Sequence, residues 1–248
     1  MRRVRIVHGG REQWGILIDD ERVQLADGGL VGLARVTLLP PVAPGATVFA
    51  LALNYADHSA ELGFKAPETP LIFLKSPGSL AAHGAMVPRP ADANQMHPEC
   101  ELVAIIGKPA RDVSATDALA YVSGYTIACD YAIREYLENY YRPNFRVKSR
   151  DGCTPLGPWI VDAADIADPQ RLGLSTIVNG AEVQHGTTAD MVFPVADLIA
   201  YLSSFMTLAP GDMILTGTPH GVHFVAAGDE VICRIEGVGS LEHTVVAA

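Results

Sequence analysis

Gly, Pro and Asp cut this chain into many short apolar runs, and that punctuation limits its possible folds more than any other feature. Thr47 to Leu53, Leu71 to Lys75, Leu102 to Gly107, Gly124 to Cys129, Trp159 to Val161, Leu174 to Val178, Met213 to Thr216, Glu230 to Ile235 and Leu241 to Val246 are all of strand length. Helical signals are fewer. Ser114-Ala-Thr-Asp117 is a capping-box variant that predicts a helix over 118–122, and 131–141 is a second candidate. The apolar positions 195, 198, 199, 202, 205 and 206 follow the period of an amphipathic helix over 195–206. Strands outnumber helices and do not alternate with them strictly, so the expected class is a β-rich α+β fold rather than a doubly wound sheet.

The first 45 or so residues read as short strands, Val4 to Val7, Trp14 to Ile18 and Arg22 to Leu25, with turns at Gly9-Gly10 and Asp19-Asp20. The run Leu39-Pro-Pro-Val-Ala-Pro-Gly45 then interrupts regular structure, because Pro fixes φ and removes backbone donors. A small N-terminal β subdomain over 1–45 and a main domain over 46–248 are therefore expected. The formal net charge of −10, with no stripe of Lys and Arg, argues against nucleic acid as a partner and leaves a small molecule. No apolar run approaches the roughly 20 residues that span a bilayer, and polar residues break the basic N-terminus before signal-peptide length is reached. Neither membrane insertion nor export is expected, and the predicted location is the cytoplasm. Cys100, Cys129, Cys153 and Cys233 show no C-x-x-C pairing, which fits core thiols in a reducing compartment.

Glu99 and Glu101 open the run Glu99-Cys-Glu-Leu-Val-Ala-Ile-Ile-Gly107, which otherwise reads as a buried strand. Side chains at i and i+2 share a strand face, so both carboxylates converge, followed on that face by Val103 and Ile105. Ionised acids at the mouth of an apolar face need cations, and Asp130 at the end of another apolar run is available as a third oxygen ligand. Such an all-oxygen set favours Mg²⁺, Mn²⁺ or Ca²⁺ and leaves positions for a chelating 2-oxo acid, whose enolate a Lewis acid stabilises. The competing reading is an exposed edge with surface ion pairs. His58 and Glu61, at i and i+3, face each other if Asn54 to Glu61 is helical, and would form an acid/base dyad or a solvated surface pair. Arg146-Val-Lys-Ser-Arg150 offers Lys148 as a base or enolate partner and arginines for carboxylates, or else a solvated loop. Thr216-Gly-Thr-Pro-His-Gly221 is a turn whose N–H groups and Thr218 hydroxyl can hold an anionic oxygen.

Taken in order, Asn54-Tyr-Ala-Asp-His58, Phe73-Leu-Lys75, Glu99-x-Glu101, Gly124-Tyr-Thr126 with Asp130 and Arg134, Lys148-Ser149, Pro155-Leu-Gly-Pro158, Val178-Asn-Gly180, Pro210-Gly-Asp212 and Thr216-Gly-Thr-Pro219 resemble the fumarylacetoacetate hydrolase superfamily. The resemblance implies a mixed β-roll or sandwich core and metal on Glu99, Glu101 and Asp130. It also implies a lid carrying His58 and Glu61, with Lys148 beside the substrate enolate. Asp130 to Gly152, together with Gly186-Thr-Thr-Ala-Asp190, is similar to the isomerase/decarboxylase branch of 4-hydroxyphenylacetate (homoprotocatechuate) catabolism, in the C-terminal half of its fused form. That branch loses CO₂ from 5-oxopent-3-ene-1,2,5-tricarboxylate and tautomerises 2-hydroxyhepta-2,4-diene-1,7-dioate to its 2-oxo isomer. Lys75, Arg134, Arg142, Arg146 and Thr218 are the corresponding candidates for substrate binding. Mg²⁺ or Mn²⁺ is the implied cofactor, with Ca²⁺ a substitute in crystals, and a homodimer or a separate sister subunit is the implied partner. Alternatives on the same metal site are an acylpyruvate hydrolase, an oxaloacetate decarboxylase or a subunit that supports an active sister chain. Two features depart from the pattern: Pro155-Leu-Gly-Pro158 is common to the superfamily, and His220 and His223 flank a turn that often carries Lys.

Overall fold

The protein is described by a computed structural model covering residues 1–137 and 145–248. Two sheets face each other across one apolar core. The larger runs, strand beside strand, through Leu30–Gly32, Arg22–Leu25, Arg11–Leu17, Arg2–His8, Thr154–Asp162, Val122–Cys129, Cys100–Ile106, Met213–Leu215, Val48–Ala52 and Leu71–Leu74. The smaller runs through Ala181–Thr187, Gly173–Val178, Glu230–Ile235, Gly239–Ala247 and Met86–Arg89. Among the described residues, no helix is long and apolar enough to cross a membrane.

Cys100–Ile106 is buried along its whole length, because it lies at the centre of the larger sheet with both of its faces covered. Leu102, Ala104 and Ile106 face the core between the sheets, with Ile127, Leu174, Val231 and Leu241. Val103 and Ile105 take the opposite face and join Ala128, Leu156, Met213 and Leu215 in a second cluster. The alternation read from the sequence is realised, and the glutamates lie on the side of Val103 and Ile105. The helix Val195–Phe205 buries Val195, Leu198, Ile199 and Leu202 of the predicted stripe, while Phe205 is exposed and Met206 lies in extended backbone after the helix ends.

Several local expectations are corrected. Residues 118–122 form only the single 3₁₀ turn Ala118–Tyr121. Ser114 Oγ binds the Asp117 carboxylate at 2.7 Å instead of capping a helix, and the strand Val122–Cys129 starts directly afterwards. In place of a helix over 131–141, Ala132–Ile133 pairs with Met96–His97 and is followed by the 3₁₀ turn Arg134–Tyr136; positions 138–141 lie outside the described residues. The N-terminal strands have a small core of their own, with Val4, Ile6, Leu17, Val23 and Val31. Arg2 and Arg3 pair with Val161 and Ile160, so these strands also continue the larger sheet. Met86–Arg89 was not legible as a strand, and its Pro88 is tolerated because it lies at the sheet edge.

A candidate metal centre and its supporting shell

The larger sheet brings the acids together by register. Cys100 pairs with Cys129 and Glu101 with Ala128, so Glu99 and Asp130 stand opposite each other one step beyond the ladder, where Asp130 N–H donates to the Glu99 carbonyl at 2.9 Å. Cross-strand partners share a face, as do residues i and i+2, and all three carboxylates therefore point the same way. One oxygen from each lies within 4.8 Å of the others, and all three residues are buried.

The cations are unevenly shared. Lys75 Nζ donates to Asp130 Oδ1 at 2.7 Å, with both side chains fully buried, and also to the Lys148 carbonyl. Lys148 Nζ donates to Glu99 Oε2 and, at 3.0 Å, to the Asp130 carbonyl. Arg134 Nη2 reaches Glu99 Oε1 at 3.2 Å. Glu101 has no cationic partner among the described residues, only the Gly217 N–H at 2.6 Å. Burial pushes the Glu99 carboxyl up, but the Lys148 and Arg134 cations outweigh it and hold the group well below the usual range. Burial, then Asp130 and Glu99, push Glu101 well above its ordinary value. Burial acts to lower Lys148, yet Asp130 and Glu99 leave it raised.

Among the described residues, Glu101 Oε1 and Asp130 Oδ2 are buried without a hydrogen-bond partner, although Lys148 Nζ passes 3.1 Å from the latter outside bonding geometry. Orphaned carboxylate oxygens are costly in a protein interior. Two of them converging beside a third carboxylate make a donor set that fits a hard divalent cation.

His58 and Glu61 lie on the short helix Ala56–Glu61. His58 Nδ1 is 3.0 Å from Glu61 Oε2, and because a carboxylate only accepts, the ring proton sits on Nδ1 and Nε2 is left basic. Glu61 also accepts from Val222 N–H at 2.9 Å and Gly221 N–H at 3.2 Å. Burial acts to raise Glu61, but these amides and the imidazole bring it below its ordinary value. The helix is thus fastened to the turn after Met213–Leu215, the turn that also supplies Gly217 to Glu101.

Of the remaining predicted residues, Lys75 is engaged by Asp130, and Arg134 by Glu99 and by His97 Nε2 at 2.8 Å. Thr218 Oγ1 is buried and accepts from Gln184 Nε2 at 3.0 Å, which leaves its own proton free to donate. Arg146 is not drawn into the cluster; its guanidinium lies 4.2 Å from the centroid of the Tyr136 ring. Arg142 lies outside the described residues. Sequence reasoning assigned no site role to His97, Asn54 or Gln184. Burial lowers His97 to about 3, and since Arg134 can only donate to its Nε2, the neutral ring carries its proton on Nδ1. Asn54 donates to the carbonyls of Thr216 and Phe193 and accepts from Phe193 N–H, tying the turn to the start of the His58 helix. His97 heads the acidic run and could have been found there.

With this sheet pair and this acidic cluster, the chain belongs to the fumarylacetoacetate hydrolase family: its C-terminal domain, fumarylacetoacetate (FAA) hydrolase C-terminal, matches residues 47–246. Within the family, the chain is 56% identical over 206 residues to the 4-hydroxyphenylacetate degradation bifunctional isomerase/decarboxylase of Salmonella dublin, covering 83% of this chain and 48% of the relative. It spans about half the length of such curated relatives. A solved 5-carboxymethyl-2-hydroxymuconate delta-isomerase from Mycobacterium smegmatis superposes with a TM-score of 0.89 at 37% identity, over 100% of this chain and 99% of that one. A maleylpyruvate hydrolase from Sphingobium sp. SYK-6, solved with manganese(II) and pyruvate, superposes with a TM-score of 0.84 at 29% identity over the whole of both chains.

Proposed function

We propose that this protein is a divalent-metal-dependent decarboxylase and isomerase of 4-hydroxyphenylacetate (homoprotocatechuate) catabolism. It converts 5-oxopent-3-ene-1,2,5-tricarboxylate to 2-hydroxyhepta-2,4-diene-1,7-dioate and then to 2-oxohept-3-ene-1,7-dioate. The observation that carries the reading is the pair of orphaned oxygens, Glu101 Oε1 and Asp130 Oδ2, converging with Glu99 at the end of the larger sheet. The names and identities of the relatives support the choice of reaction.

In this reading Glu99, Glu101 and Asp130 hold Mg²⁺ or Mn²⁺, which supplies Lewis acidity toward a 2-oxo group. Loss of CO₂ sends an electron pair along the conjugated chain, and a proton must then return at carbon. His58, with Nδ1 tied to Glu61, keeps Nε2 free to carry that proton. Lys148, already against Glu99 and Asp130, is placed to offer N–H to the developing enolate oxygen. Lys75 positions Asp130, Arg134 remains about one-fifth exposed and can meet a substrate carboxylate, and Thr218 offers its hydroxyl proton. Arg142 and Arg146 are assigned to distal carboxylates, the latter by swinging off Tyr136. The protein works in the cytoplasm, as a homodimer or with a sister subunit equivalent to the other half of its longer relatives.

The test is CO₂ release and diene absorbance on the tricarboxylate, with chelator-stripped protein, with and without Mg²⁺ or Mn²⁺, and with Glu101→Ala. Metal-dependent turnover that the variant reduces at least a hundredfold is expected. Metal-independent turnover, or full activity in Glu101→Ala, would sink the reading. A second reading, acylpyruvate hydrolysis, is favoured by the manganese and pyruvate in the maleylpyruvate hydrolase neighbour, and release of pyruvate without CO₂ would select it.

A further inference from the structure

The strand Ala181–Thr187 is a polar edge strand, but Gln184 within it is 4% exposed. Its amide is satisfied on both sides. Thr176 Oγ1 donates to Gln184 Oε1 at 2.7 Å, while Gln184 Nε2 donates to Thr218 Oγ1 at 3.0 Å and to the Pro219 carbonyl at 2.7 Å. The Pro219 carbonyl can only accept, so it fixes which end of the amide faces the turn, and a flip would lose that bond. The backbone beside it is equally tight. A Cβ at Gly186 would lie 2.6 Å from the Pro219 ring, and one at Gly221, whose φ is +126°, would lie 2.9 Å from Gln184 Cβ.

The segment held in this way, residues 216–222, touches both halves of the site. Its Gly217 N–H reaches Glu101 Oε2 at 2.6 Å, and its Gly221 and Val222 N–H groups reach Glu61. We infer that Gln184 is a positioning residue that sets the acidic cluster and the His58–Glu61 pair in register by fixing this turn from the second sheet. The inference rests on the function proposed above for its catalytic meaning, but its structural content does not. Gln184 touches neither the acids nor His58; it acts through Thr218 and Pro219. Supporting residues of this kind hold catalytic groups to within a fraction of an ångström.

The test uses the full chain carrying Gln184→Met, which keeps length and removes all three bonds, and Thr176→Val, which keeps shape and removes only the hydroxyl that donates to Gln184 Oε1. Amide hydrogen exchange is measured without metal, Mn²⁺ binding by the loss of its free paramagnetic signal, and kcat and KM on the tricarboxylate. With far-UV circular dichroism unchanged, Gln184→Met should exchange about tenfold faster at 217–222 and at 56–61 and nowhere else, as expected when a few hydrogen bonds that govern a local opening are lost. Mn²⁺ binding should weaken several-fold, and kcat should fall more than KM rises. Thr176→Val should repeat the pattern at smaller amplitude and keeps the test decisive if Gln184→Met does not fold. Unchanged exchange at both segments, or a uniform rise across the chain, overturns the inference. Failure of the wild-type chain to bind Mn²⁺ would instead overturn the metal reading, with the exchange experiment still deciding the role of Gln184.

Discussion

Lys75 and Asp130 are both fully buried, and their 2.7 Å contact is the least solvated ion pair of the site. Among the described residues, Lys75→Met leaves Asp130 with only Lys148, 3.1 Å from its Oδ2, and an unmet Oδ1, and should cost about 1–3 kcal/mol. Urea denaturation at neutral pH measures it, and a loss under 1 kcal/mol would show that Asp130 finds another partner. His243 makes a second prediction. Its Nε2 meets the Tyr131 hydroxyl at 2.9 Å, and burial lowers its pKa to about 4. The unfolded chain takes up this proton near pH 6.5 and the folded one only near 4, so stability falls as pH drops through that window. The full loss is about 3 kcal/mol. Denaturation midpoints at pH 7 and pH 5 should differ, and His243→Phe should reduce that difference, leaving the part due to His97.

Between residues and the whole, the element that matters most is the helix Ala56–Glu61. At two turns or fewer it has almost no intrinsic stability, and among the described residues no side chain caps its N-terminus. Its hold on the fold comes from Glu61 on the Gly221 and Val222 amides and from Asn54, just before it, on the Thr216 and Phe193 carbonyls. Glu61→Ala should therefore release it, raising proteolytic cleavage within 54–66 several-fold and lowering kcat at least tenfold by freeing the His58 ring. Metal plus a 2-oxo acid should protect the same segment in the wild-type protein. Cleavage that neither the substitution nor the ligands change would mean that Glu61 does not hold this helix.

At the scale of the molecule, a cation that binds only the folded acidic cluster must stabilise the whole fold. At a hundredfold excess over Kd, Mn²⁺ or Mg²⁺ should add about 2.7 kcal/mol, read as a rise in Tm that chelator reverses and that Glu101→Ala abolishes. By itself the sequence determined the strand periods, and with them that Glu99 and Glu101 share a face with Val103 and Ile105, because that geometry is local. It likewise made the His58–Glu61 contact and the Val195–Phe205 helix legible, since spacings of three and four residues are local too. Only the tertiary structure decided that Asp130 stands opposite Glu99, that Lys75 is buried against Asp130, and that the N-terminal strands extend the larger sheet. Gln184 was hidden for the same reason: in Ala181–Thr187 the polar pattern reads as solvent-facing, and its burial comes from a turn more than thirty residues later. Strand register and long-range hydrogen bonds are set by which edges meet when the core closes, and no local period encodes that meeting.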